Sequence, residues 1–173
     1  MANISINRVT NANIYMDGMS FLGRAESIDL PETLYKFTEH KALGMVGTSE
    51  FFAGIDKFEG SIKWNSFYPE VMMKVGNPVK TIQLQCRSSL ETYNSLGRIA
   101  EVPVVTFLTV AFKTLPAGKF KQHDNVELDS KFAGYYLKQT IEGVEVVEID
   151  VLANIARING VDILAQYRAN IGG

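Results

Sequence analysis

The residues able to do chemistry are few and scattered. Cys86 is the single cysteine, and His40 and His123 are the two histidines. One thiol excludes both an internal disulfide and the clustered thiolates of a structural zinc site. His40 falls at the end of a predicted strand and His123 in a polar turn beside Lys119 and Lys121. Neither has a metal-ligating partner at helical spacing, so both read as surface residues. Cys86 shares an apolar strand face with Ile82 and Leu84, which makes it a buried, unreactive thiol rather than a nucleophile. The run Gly44-Met45-Val46-Gly47-Thr48 lacks the lysine of a phosphate loop and reads as a turn. Glu145, Glu148 and Asp150 could in principle perform acid–base work, but their alternation with Val147 and Ile149 marks the wet or interface side of a strand. No catalytic dyad, metal site or cofactor is expected, and the chain reads as a non-enzyme.

The elements around these residues are mostly strands, because apolar residues recur at every second position. Phe58, Ile62 and Trp64 share one face, with Glu59, Ser61 and Lys63 on the other. Ile82, Leu84 and Cys86 oppose Thr81, Gln83, Gln85 and Arg87, a face that is polar yet nearly uncharged. Val126, Leu128 and Phe132 oppose Glu127, Asp129 and Lys131. At Gly134 the phase slips, so that Tyr135, Leu137 and Ile141 become the apolar set, which predicts a bulge or bend there.

Turn chemistry separates the strands. Asp17-Gly18 and Glu142-Gly143 supply the positive φ angles of tight hairpins. Gly44 and Gly47 mark a connection that predicts a projecting loop over 41–57, and the stretch 88–100 reads as an exposed polar loop. Two short helices are predicted. One starts after Ser66 as N-cap, with Pro69 in its first turn and Tyr68, Val71, Met72 and Val75 as its apolar stripe. The other lies at the C-terminus, with Asp162 as cap and Ile163, Leu164, Tyr167 and Ile171 on the docking side.

Composition bounds the rest. The 173 residues fit one domain, 1–173, that buries about 70% of the surface its unfolded chain exposes. No apolar run approaches the ~20 residues of a membrane span, and the first residues lack the pattern of a secretory signal, so synthesis in a reducing cytoplasm is expected. A net charge of −2 with scattered basic residues argues against tight nucleic-acid binding. One segment strains a monomer: over 104–112, Val104, Leu108, Val110 and Phe112 occupy one face while Val105, Phe107 and Ala111 make the other apolar too. That second face needs a cover, from the helices or from a neighbouring subunit, and periodicity leaves both open.

Four runs in the C-terminal third then point to a family: Tyr135-Tyr136-Leu137-Lys138, the segment 141–150, Ile158-Asn159-Gly160-Val161-Asp162, and Tyr167-Arg168-Ala169-Asn170-Ile171-Gly172. With Asn13-Ile14-Tyr15-Met16-Asp17-Gly18, Phe21, Gly23, Leu30-Pro31, Gly44-Met45 and Ile62-Lys63-Trp64, the order and spacing resemble the major tail tube protein of contractile-tailed phages and R-type tailocins. The resemblance spans nearly the whole chain.

The resemblance implies two packed antiparallel sheets, as a sandwich or half-barrel, with a flanking helix. It implies rings of six copies whose inner strands merge into one barrel and whose stacking makes a hollow tube. The particle would be a phage tail or tailocin assembled in the host bacterial cytoplasm. Partners would be other copies, tail sheath, tape-measure, baseplate and tail terminator proteins, with DNA passing through the lumen unbound. On that expectation Thr81, Gln83, Gln85, Glu127, Asp129 and Lys131 are candidates for the lumen. Met45, Phe51, Phe52 and Ile55 are candidates for ring stacking, and Val105, Phe107 and Ala111 for the subunit interface. The competing readings are a type VI secretion ring-forming carrier and, in a different class, a monomeric β-barrel that binds a small apolar ligand.

Overall fold

A computed structural model describes residues 4–173. In chain order the elements are β1 (Ile6–Met16), β2 (Met19–Ser20), β3 (Ala25–Asp29), β4 (Tyr35–His40), β5 (Ser49–Ile55), β6 (Phe58–Trp64), α1 (Pro69–Val75), β7 (Ile82–Asn94), β8 (Gly97–Phe112), β9 (Leu128–Ile141), β10 (Val144–Asp150), β11 (Ile155–Ile158), β12 (Val161–Asp162) and α2 (Ala165–Asn170). All strand pairs are antiparallel, and the main sheet runs β12-β11-β10-β9-β8-β7-β1-β2 with β6 and β3 added beside β9. The predicted hairpins form: Met16 pairs with Met19 across Asp17-Gly18, and Ile141 with Val144 across Glu142-Gly143. All four turn residues have positive φ.

The phase slip at Gly134 is a bulge that forks the sheet. Thr109 pairs with Tyr136 and Val110 with Gly134, leaving Tyr135 without a partner on β8. Before the bulge the outer edge of β9 pairs with β6, and after it with β10. Glycine suits the fork because an added Cβ at Gly134 would lie 3.2 Å from the Cβ of Phe58.

The β3–β6 branch folds back toward the β1 end through the short β2–β3 connection. There the Phe21 and Trp64 rings meet edge to face at 5.7 Å, and the Asn65 N–H donates to the Arg24 carbonyl at 3.0 Å. The result is a half-barrel, open between β1 and β3, which share no ladder among the described residues. Its interior is filled by side chains such as Phe58, Ile62, Trp64, Leu108 and Phe132, all fully buried.

Several expectations are corrected. The N-cap of α1 is Tyr68, two residues beyond Ser66, whose hydroxyl contacts the Asn125 side chain instead. Val71 and Val75 do bury against the core, and Lys74 ties the helix to Asp17 at 2.6 Å. At the C-terminus only Leu164 reaches the core; Ile163, Tyr167 and Ile171 stay exposed, so α2 does not dock by its apolar side within one chain. The stretch 88–100 is no loop. It is the outer part of the β7–β8 hairpin, paired from Ser88 opposite Val104 to Asn94 opposite Gly97. Its Ser, Thr and Glu residues hid a ladder that carries little apolar alternation. The projecting feature at 41–57 is only partly a loop: 41–48 forms its tip, and Ser49–Ile55 returns as β5 paired with β4.

Candidate assembly surfaces

The first surface is the face of the main sheet that points away from the core. Register places Tyr15, Gln85, Phe107 and Lys138 in one cross-strand row, and Gln83, Thr109, Tyr136 and Asp150 in the next. Asp129 and Lys131 continue the same face before the bulge, opposite Lys63 and Ser61 of β6. Thr81, Gln83, Glu127, Asp129 and Lys131 are exposed and Gln85 is half-buried.

The charged groups of this face are largely matched within the chain. Lys138 pairs with Glu145 at 2.9 Å, Glu148 with Arg157, and Glu127 with Lys63 at 3.4 Å. The Tyr136 hydroxyl donates to Glu148 at 2.8 Å. The hydrogen bonds from Tyr136 and Arg157 hold the Glu148 carboxyl below its ordinary range, while burial and the nearby carboxylate push the Tyr136 phenol up. A register shift between Glu145 and Val147 puts Glu145 and Glu148, three apart, on one face of β10. The sequence showed these acids but not their partners, which come from β9 and β11.

Val105, Phe107 and Ala111 lie on this same face, so the lumen and interface candidates are neighbours and not separate walls. Ala111 is already covered, at 8% exposure, whereas Phe107 is 39% exposed, and among the described residues neither helix packs extensively on β8. The helices therefore do not supply the cover that this face lacks.

The second surface is the β4–β5 arm. Phe51 and Phe52 are exposed, as are Leu43, Met45 and Val46 at its tip. Phe52 meets Tyr35 and Phe37 edge to face on one side, and Phe51 meets His40 on the other, so each face of the arm carries aromatic rings. Ile55 is different: it packs on the edge of the core. A cleft of about 430 Å³ lies at the arm's base, lined by Phe52, Ile55, Leu164 and Tyr167 among others.

Catalytic groups do not converge. His40 and His123 are exposed and lie on different elements, the arm and the loop before β9. Burial pushes the Cys86 thiol above its ordinary range, against reactivity. Among the described residues no cluster of His, Cys, Asp and Glu could hold a metal ion.

Against this geometry, residues 6–172 match the family model described as phage tail tube protein FII. The chain belongs to that family. The tail tube protein of Escherichia phage P2 is 29% identical over 164 residues, covering 92% of this chain and 94% of the relative. Two solved structures of an extracellular contractile injection system share the fold at a TM-score of 0.56 and 9% identity, each matched over 75% of this chain. They are the PVC sheath-tube complex and the PVC sheath/tube terminator, both in the extended state, of which 88% and 93% of the matched chains are covered. The chain is thus a structural tail tube subunit, and the half-barrel with its arm is the building block of that tube.

Proposed function

We propose that six copies of this tail tube subunit form a ring and that stacked rings make a hollow conduit within a contractile particle, a phage tail or tailocin. The observation that carries this reading is the polar outer face of the sheet, on which Lys138, Arg157 and Lys63 each pair with a carboxylate of the same chain, while Arg87 and Lys131 have no ion pair among the described residues. A conduit for DNA must not hold phosphates, and binding grooves hold them through unpaired Lys and Arg with interleaved aromatics. A face that pairs most of its cations with its own carboxylates holds phosphates weakly, which suits passage of DNA. Gln83, Gln85, Asp129 and Lys131 then line the lumen. Because Gln85 stands opposite Phe107, that level of the face cannot be both open conduit and closed seam, so Val105 and Phe107 belong to the lumen wall as well.

The partners are further copies, the sheath around the tube, the terminator, and tape-measure and baseplate proteins. The role is non-enzymatic, and the copies assemble in the host bacterial cytoplasm. Among the described residues the half-barrel interior is filled by buried side chains, which argues against a ligand-binding barrel. The test is cysteine labelling in a Cys86→Ala background. Gln83→Cys or Asp129→Cys should react with a bulky reagent in the unassembled chain and be shielded in tubes. Equal labelling along assembled tubes rejects the lumen assignment.

A further inference from the structure

Beyond the half-barrel, β1, β7 and β8 continue together as a three-stranded wing. Ile6 to Val9 pair with Tyr93 to Leu90, and β8 pairs with the other side of β7 out to Gly97. The alternation of β7 is unbroken along the way: Ile82, Leu84 and Cys86 face the core, and Leu90 lies on that same face. Its cross-strand partners are Val9 and Val102. Val9 is 51% exposed, and Leu90 and Val102 are only half-buried.

The opposite face of the wing carries its own polar network. Arg98 pairs with Glu91 and Glu101, each at 3.2 Å, Tyr93 donates to Glu91 at 2.7 Å, and Ser89 to Glu101 at 2.8 Å. The wing is therefore a piece of sheet with one polar, ion-paired face and one uncharged face on which Val9, Leu90 and Val102 form an apolar row that its own chain leaves partly uncovered. The remaining positions of that face, Asn7, Thr92 and Ala100, carry no charge, so a charged partner finds nothing to pair with there. The edge of β1 from Ile6 to Asn13 also lacks a strand partner among the described residues and has one charge, Arg8. Such an edge invites strand pairing unless a partner covers it.

We infer that the occupant is the adjacent copy of this chain in the same ring, so that Val9, Leu90 and Val102 extend one subunit's core across the seam into the next. The inference rests on the ring reading and moves the seam to the face opposite Val105 and Phe107. Each copy offers its wing to one neighbour and accepts a wing from the other, a heterologous contact that closes into a ring.

Two variants in a Cys86→Ala background test it. Val102→Cys should react with a maleimide in the unassembled chain and lose that reactivity in tubes, while Glu101→Cys, its neighbour on the opposite face, stays reactive to a small reagent. Leu90→Asp should keep the melting temperature of the parent yet form neither rings nor tubes by sedimentation and microscopy. Val102→Cys that labels freely in intact tubes, or Leu90→Asp that assembles normally, overturns the inference while leaving the tube reading in place. A parent chain that never forms rings overturns both.

Discussion

The indole N–H of Trp64 donates to the hydroxyl of Ser130 at 3.1 Å, and both side chains are fully buried. This bond joins β6 to β9 inside the core, where no water can replace a lost partner. Ser130→Ala leaves the indole donor unsatisfied, at a cost of about 1–3 kcal/mol. For a domain of this size each kcal/mol lowers the melting temperature by about 2–4 °C. Calorimetry should show that drop, whereas Ser61→Ala, at an exposed bond to Asp29, should leave the melt nearly unchanged.

Gly60 sits between a ring and a backbone. A Cβ there would fall 2.4 Å from the Phe132 ring and 2.5 Å from the Asp29 carbonyl oxygen. The ring can turn away but the carbonyl belongs to the β3–β6 ladder. Gly60→Ala should therefore cost about 3 kcal/mol, the upper end of overpacking, read as a lower denaturation midpoint at an unchanged slope.

Periodicity exposed the half-barrel well because its strands bury one face each. The half-buried strand at 58–64, the alternation through Cys86 and the slip at Gly134 were all legible for that reason. The wing was not, since Ser88, Thr92 and Asn94 occupy core-side positions where no core of the same chain lies. The exposed side of α2 was misread for the converse reason: Ile163, Tyr167 and Ile171 keep helical apolar spacing, yet all three stay exposed, Ile163 and Tyr167 only lining the open cleft at the arm's base. Ion pairs such as Glu148 with Arg157 depend on strand order, which alternation does not encode.

Glu148 predicts an acid-sensitive contribution. Hydrogen bonds from Tyr136 and Arg157 lower its folded pKa from the ordinary 4.5. A depressed carboxyl stabilises the fold above its unfolded pKa and loses that contribution as pH falls through the folded one. Glu148→Gln should thus be less stable than the parent near neutrality, with the gap closing as pH drops below 4.5. Melting curves from pH 7 to pH 3 decide it, and a gap that stays constant counts against the linkage.

The arm predicts a separation of ring formation from stacking. Phe51 and Phe52 are 58% and 45% exposed, so their truncation removes little from the fold. If the arm bridges rings, Phe51→Ser with Phe52→Ser should keep the melting temperature and the rings but shorten the tubes in micrographs. Ile55→Ser provides the contrast, because Ile55 packs on the core and its loss should lower the melting temperature itself. Tubes of parental length from the double variant would show that the exposed rings of the arm do not hold one ring to the next.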